Sequence, residues 1–480
     1  MYKPTIGLEI HSELKTKTKM FCDSPNNPDE KRANFNVCPI CLAHPGTLPV
    51  INKKAVEAVI KLGLAIGGKI PKVSHFDRKS YFYPDLPKGY QISQYKEPLV
   101  EGGELVGVKI TRVHLEEDTG TLSHANSKSS EKDDYTLVDY NRAGVPLMEL
   151  VTEPDIKSGE QAVAFAKELQ LILRYLGISD ADMERGQMRV EVNISLSKNS
   201  EMGTKVEIKN LNSFRAVKEA TDYEIKRQTN ILEEGKEVVH ETRGWDENKK
   251  ATVSQRAKEK AHDYRYFPEP DLPPLDLTKY NIEELKDFLP ELPEQKRVRF
   301  AEEYGLNQSQ IEILVDNLEF ADYFEDAVSE LLSDISQPKD GIILLYNYFS
   351  TNVLGSMTAQ NIVSVKESKI TPEKLASLVS LVIKKEITTQ IAKDVLKEMA
   401  MTGLYPEDII KEKGLAQISD EDVIKKTVAE IIAENPAALA DYKSGKGNAL
   451  QFLIGQGMKK LKGQANPEIL KKLFEEFLSK

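Results

Sequence analysis

Cysteine is scarce, with three in 480 residues. So few thiols exclude a disulfide-stapled framework. Long apolar runs are also missing, because no stretch approaches the ~18 consecutive apolar residues needed to span a bilayer. The opening residues MYKPTIGLEIHSEL enter a strand pattern at once, without an apolar signal segment, so a soluble, cytoplasmic protein with no membrane role is expected. Neither GxGxxG nor GxxxxGK[ST] occurs, which excludes Rossmann and P-loop nucleotide sites. No repeat of solenoid period is present. Basic charge is not in excess: 65 Lys and Arg face 76 Asp and Glu, a formal net charge of −11. That disfavours a generic nucleic-acid coat but leaves room for a local basic patch.

What is present begins with strands that carry polar ligand-type residues on one face. In residues 188–196, Met188, Val190, Val192, Ile194 and Leu196 alternate with Arg189, Glu191, Asn193 and Ser195. Next, Val206 and Ile208 alternate with Lys205, Glu207 and Lys209. An ordinary solvated sheet face would read the same way. The pattern recurs, however, at residues 5–14, where Ile6, Leu8, Ile10 and Leu14 alternate with Gly7, Glu9, His11 and Glu13. It recurs again in VKITRVHLEED, residues 108–118, which ends in Glu116, Glu117 and Asp118. Carboxylates converging from several strands repel unless a cation holds them, and glutamate oxygens favour a hard ion such as Mg²⁺.

Cys22, Cys38 and Cys41 form a Cys-x-x-Cys with a third thiol upstream, half of a zinc ribbon that needs a fourth ligand to close, with His44 a possible one and Ser24 a poor one. Free cytosolic thiols are the other reading. The stretch HFDRKSYFYPDLPKGYQISQY, residues 75–95, packs Lys79, Tyr81, Tyr83 and Lys88 around two prolines. Lysines there suit phosphate oxygens, and a surface loop with buried tyrosines is the plainer alternative.

Helical signals follow. Asn52 caps a helix with Val56, Val59, Ile60 and Leu64 on one side, Ser158 and Gln161 form a capping box ahead of a second that Gly177 stops, and Ser213 starts a third. The irregular mixture of strands and helices predicts an α+β domain on a mostly antiparallel sheet. A proline-rich turn, PEPDLPPL, closes it, and short helical patterns take over. The expected division is 1–292, 293–403 and 404–480. Between Lys443 and Lys462 lie five lysines and no acid, with Ser444-Gly445-Lys446-Gly447 and Gly455-Gln456-Gly457 read as flexible runs. This suits a mobile basic appendage for a phosphate backbone, or else a solvated helix pair.

The segments IGLEIH, FDRKSYFYPDLPKGYQISQY, HLEEDTG, DYNRAGVPLMELVTEPD, EVNIS, KNLNSF and HDYRYFPEPDLPPL together resemble the B-subunit family of the glutamyl/aspartyl-tRNA amidotransferases. The likeness runs in order along almost the whole chain. It implies a glutamine-synthetase-like catalytic domain, a helical domain and a YqeY-like tRNA-binding tail. It further implies a carbon–nitrogen ligase with glutamine as amido donor, in which this chain uses ATP and Mg²⁺ to phosphorylate the side-chain carboxylate of Glu-tRNA(Gln) or Asp-tRNA(Asn). The resemblance places Mg²⁺ at Glu9, His11 and Glu117, with Glu191 and Glu207 nearby. Lys79 and Lys88 become candidate catalytic contacts, and Lys79, Tyr81, Tyr83, Lys88, Arg142 and Lys205 candidates for holding the nucleotide.

Two departures from the family pattern stand out. Many members have Asp where this chain has Glu191, and Cys-x-Cys where this chain has Cys22 and Ser24, so zinc is expected to be absent. No Gly-Gly-Ser-Ser amidase signature occurs, so ammonia must come from a partner, which the resemblance makes an amidase A subunit in a heterotrimer with a small C subunit. A metal-dependent RNA-processing nuclease and a non-catalytic tRNA-binding scaffold are the competing readings of the same residues.

Overall fold

Ile6, Leu8 and Ile10 are fully buried while Gly7, Glu9 and His11 between them are only partly so, and this alternation makes residues 3–13 the central strand of a sheet with one wet face. A computed structural model describes residues 2–124, 135–199, 201–257, 264–335, 338–416, 421–444 and 448–478. His262 and Asp263 of the HDYRYF motif, and Gly445, Lys446 and Gly447 of the basic run, lie outside the described residues. The chain divides into two compact units, Met1–Pro293 and Glu294–Lys480.

The strands of the first unit that position the site are β1 (Lys3–Glu13), β2 (Asp77–Ser80), β3 (Tyr90–Ser93), β4 (Val100–Glu101), β5 (Val108–Glu117), β6 (Pro146–Thr152), β7 (Met188–Ser197), β8 (Val206–Leu211), β9 (Glu241–Asp246), β10 (Ala251–Ala257) and β11 (Phe267–Pro268). The main sheet has nine strands in the order β10-β9-β8-β7-β1-β6-β5-β4, with Glu104–Leu105 pairing on β5 beside that path. Only β8 and β9 run parallel among its described ladders. The expected α+β class on a mostly antiparallel sheet is what the structure has.

Three helices cover the apolar face: α1 (Lys53–Ala65), α2 (Gly159–Tyr175) and α3 (Phe214–Glu233). Val56 and Val59 of α1, Phe165 and Leu169 of α2 and Val217 and Ala220 of α3 share one core with Ile6, Leu8, Ile10, Val113, Leu115, Val190 and Val192. Asn52, Ser158 and Ser213 each cap their helix through the side chain, though Gln161 returns its bond to the Lys157 N–H rather than to Ser158. Burial of each aliphatic side chain stabilises by about 1.5–3 kcal/mol, so a one-residue slip of β1 would exchange that gain for buried Glu9 and His11. The core thereby dictates which side chains face the opposite side.

A small sheet, β11-β2-β3, lies by the end of β5. Gln91 donates to the Glu117 carbonyl at 2.7 Å, and the Leu115 N–H donates to Gln94 Oε1 at 3.0 Å. Arg78 on β2 forks onto Glu269 with two 2.7 Å bonds, which fastens the segment carrying β11.

The described residues of the second unit form helices and no strands. Helix α4 (Thr389–Thr402) is followed by α5 (Pro406–Lys413), held to it by Lys413 and Glu398 at 2.9 Å. Helices α6 (Glu421–Glu434), α7 (Asn448–Lys460) and α8 (Pro467–Leu478) build a separate core from Ile424, Val428, Leu453, Leu470 and Phe474. The run Gly455-Gln456-Gly457, expected to be flexible, is instead interior to α7. A Cβ at Gly457 would come within 2.6 Å of Leu470, so that glycine serves close helix packing.

Candidate active site on the polar face of the sheet

Cross-strand register brings the charged residues into rows. His114 of β5, Glu149 of β6, His11 of β1 and Arg189 of β7 are successive neighbours, and a second row runs Arg112, Val151, Glu9, Glu191. In the centre, Glu149 Oε2 lies 3.4 Å from Nε2 of both His11 and His114. His11 Nε2 is also 3.7 Å from Glu116 and 3.8 Å from Glu9. Toward β8, Lys209 reaches Glu191 at 2.8 Å and Glu207 at 3.5 Å, and Thr242 donates to Glu207 at 2.7 Å. Val151 and Thr242 apart, these residues line a cleft of about 1070 Å³ together with Lys79, Tyr81, Tyr264, Tyr266, Arg142 and Lys205.

The site is electrostatically tense. Burial, then the charge of Glu149, pushes Glu9 up to about 7. Burial alone would lower His11, but its bond with Glu149 and the charges of Glu149 and Glu116 lift it to about 9. Against its own burial, Glu149 is held well below the usual carboxylate range by His114 and His11. Lys79 is likewise buried at a cost, and Glu116, with Tyr266 and Glu149, keeps its ammonium charged.

Three groups have ligand atoms within 4.8 Å of one another: Glu9, His11 and Glu149; His114, Glu116 and Glu149; and Glu9, Glu191 and Glu207. Glu9 and Glu149 each belong to two of them. The donor set is mainly carboxylate oxygen, which fits hard divalent cations. Nδ1 of His11 and of His114 is buried without a hydrogen-bond partner, so Nε2 is the atom each ring turns to the carboxylates.

The structure brings Glu9, His11, Glu191, Glu207, Lys79, Tyr81, Arg142 and Lys205 to this cleft. It does not bring Glu117, Lys88 or Tyr83 there. Glu117 follows Val113 and Leu115 on the other side of β5, where it pairs with Lys88 at 2.6 Å and accepts from the Ile92 N–H at 2.9 Å. Adjacent residues of a strand face opposite ways, so only one of Glu116 and Glu117 can join His114. Lys88 accordingly sits away from Lys79, beside the cysteines in a separate cavity. Tyr83 is 55% exposed and lines a shallow surface depression with Phe82 and Pro87. Reading the sequence gave no individual role to Arg112, His114, Glu116, Glu149 and Lys209. Alternation counted from Leu115 would have found His114 and Glu116, and Glu149 is the one acid in the apolar run PLMELVT.

The three thiols do converge, with Cys22 and Cys38 Sγ 3.4 and 3.6 Å from Cys41 Sγ. The next neighbours of Cys41 are Ser24 Oγ at 3.5 Å and the fully buried Lys19 Nζ at 3.7 Å. Three positions therefore fit zinc, while the fourth carries a hydroxyl and an ammonium already supplies positive charge. Elemental analysis of the purified chain should find less than one equivalent of zinc. Stoichiometric zinc that is lost on Cys38→Ser would overturn this and mean that another group closes the site.

Residues 4–283 match the family model described as the GatB/GatE catalytic domain, and residues 322–478 match the one described as the GatB domain. Over 487 aligned residues the chain is 46% identical to the B subunit of the aspartyl/glutamyl-tRNA(Asn/Gln) amidotransferase from Thermotoga maritima, covering 99% of each. Its counterpart from Carboxydothermus hydrogenoformans is 45% identical over 489 residues, covering 100% of this chain and 99% of that one. The one from Gloeothece citriformis is 44% identical over 493 residues, covering 99% and 98%.

Proposed function

The chain belongs to the GatB family, subunits of tRNA-dependent amidotransferases acting as ligases in translation, and from that premise we propose that its cleft is the kinase site of such an enzyme. A side-chain carboxylate oxygen of misacylated Glu-tRNA(Gln) or Asp-tRNA(Asn) attacks the γ-phosphorus of ATP, and ADP leaves. Ammonia released from glutamine by a partner amidase subunit then attacks the acyl carbon, inorganic phosphate leaves with the activated oxygen, and a proton is lost. A small third subunit completes the assembly.

The observation that carries this reading is the set of three overlapping ligand groups sharing Glu9 and Glu149, with Lys79 lining the same cleft. Glu9, His11, Glu116, His114 and Glu149 would hold Mg²⁺, with Glu191 and Glu207 serving the end near Lys209. A divalent cation there would relieve the carboxylate repulsion and, when bound, neutralise phosphate oxygens. Phosphoryl transfer asks the protein chiefly for position and charge. Lys79, Arg112, Arg142, Lys205 and Lys209 supply fixed positive charge for phosphate and carboxylate oxygens. Tyr81 borders the same space. A nuclease would need no nucleotide, and a scaffold no ligand groups. The test is ATP-dependent amidation of misacylated tRNA by the chain co-expressed with its amidase and small partners. Amidation without ATP consumption, or RNA cleavage in its place, would end the kinase reading.

The second unit is assigned to holding tRNA. Lys443, Lys459 and Lys462 are exposed, whereas Lys460 is paired with Glu430 and Glu434. Because α5 rests on α4, a truncation that spares this packing begins at about residue 417. In the full complex that truncation should weaken tRNA binding and make log K against log salt shallower by roughly 2 to 3, at ~0.7–0.9 per lost phosphate contact. Saturating tRNA should restore turnover. Unchanged affinity and slope would reduce this helical segment to a solvated surface.

A further inference from the structure

Tyr95, Tyr264 and Tyr266 line one wall of the cleft, and the phosphoryl-transfer reading gives them no task. Their rings form a continuous chain. Tyr81 and Tyr264 meet edge to face at 6.0 Å, Tyr264 and Tyr266 at 6.2 Å, and Tyr266 stacks on Tyr95 at 4.5 Å with 13° between planes. Two cations lie beside these rings, with Lys79 Nζ 5.1 Å from the Tyr264 ring and the Arg112 guanidinium 5.7 Å from the Tyr95 ring. Aromatic rings that serve only to fasten a strand bury their faces, because each buries on the order of 150–250 Å² in a core. Here Tyr95 remains 48% exposed and Tyr264 38% exposed.

Flat, half-exposed phenol rings with cations beside them are a platform for a planar heteroaromatic base, which stacks whatever its sequence context. Two adenosines come to this cleft in the reaction proposed above, that of ATP and the one ending the tRNA acceptor strand. Resting on that reading, we propose that Tyr95, Tyr264 and Tyr266 form a stacking wall for an adenosine base. The acidic cluster and Lys79 hold the phosphates and the carboxylate, and the wall holds the base.

The experiment uses the complete complex with Tyr95→Ala, Tyr264→Ala and the matching Phe variants. Calorimetry compares Mg²⁺·ATP with Mg²⁺·tripolyphosphate, which lacks the base, and binding assays compare tRNA with and without its terminal adenosine. If ATP supplies the base, the Ala variants bind Mg²⁺·ATP about tenfold more weakly, hold tripolyphosphate as before, and recover with Phe. If the tRNA supplies it, ATP affinity stays and the preference for the terminal adenosine falls by about the same factor. Unchanged ATP affinity together with an unchanged adenosine preference overturns the wall and leaves the kinase reading standing. An equal loss for tripolyphosphate also overturns it, because the effect is then on the fold of the cleft. A wild-type complex that binds no ATP at all overturns both readings.

Discussion

Replacing Glu149 by Gln is expected to lower tRNA-dependent ATP cleavage by about a thousandfold, while Glu117→Gln should leave ATP cleavage per folded molecule close to wild type. Glu149 lies between the two imidazoles at 3.4 Å from each and belongs to two of the three ligand groups. An amide keeps its shape but loses the charge that a hard cation requires. A metal clamp contributes several kcal/mol of transition-state stabilisation, and about 4 kcal/mol corresponds to a factor of about 10³. Glu9→Gln and His11→Ala should fall in the same range. Glu117 faces the other side of β5, where its loss strips Lys88 of a carboxylate in a mostly buried pair. Breaking such a pair costs about 3–5 kcal/mol, so Glu117→Gln should show mainly a lower melting temperature, which Lys88→Met should partly recover. ADP release measured with misacylated tRNA, beside thermal melts, separates the two. Full activity in Glu149→Gln with loss confined to Glu117→Gln would remove the metal assignment from the polar face.

Lys79→Met should reduce turnover by about 10²–10³, the usual effect of deleting one preorganised charge from a transition-state site. Burial works against this ammonium, but Glu116, Tyr266 and Glu149 outweigh it and raise its pKa. A lysine so raised contributes stability fully below its unfolded value, about 10.4, and loses that contribution only as pH rises through the higher folded value. It therefore acts as a charge and not as a base, and replacing it should lower the rate without moving any limb of the pH profile across about pH 6–9. Lys79→Arg, which keeps the charge, should retain more activity than Lys79→Met. A Met variant within tenfold of wild type would show that Lys79 only packs against its neighbours in the cleft.

Several features were legible from residues alone because they depend on neighbours in sequence. Alternation in residues 5–13 and 188–196 predicted both strands and their wet faces, and Asn52, Ser158 and Ser213 announced their helices. The long motifs also carried the family likeness that the two matching domain models bear out. The side of β5 that Glu117 occupies is of another kind. Both glutamates of LEED are equally good ligands by composition, and only the side of the sheet distinguishes them.

What the sequence by itself determined is the class of fold, the family and the supply of ligand-type side chains, because alternation, caps and motifs are local properties. Tertiary structure alone decided which of those side chains meet. His114, Glu149 and His11 are far apart in the chain and become neighbours only through the register of β5, β6 and β1. That register is set by burying Ile6, Leu8 and Ile10 against the helices, and no local pattern states which strands will pair. The same packing turned Glu117 toward Lys88, set Lys19 and Ser24 against the thiol of Cys41, and made Gly457 a point of helix contact. Each of these follows from the side of an element that a residue occupies and from what the core brings opposite it.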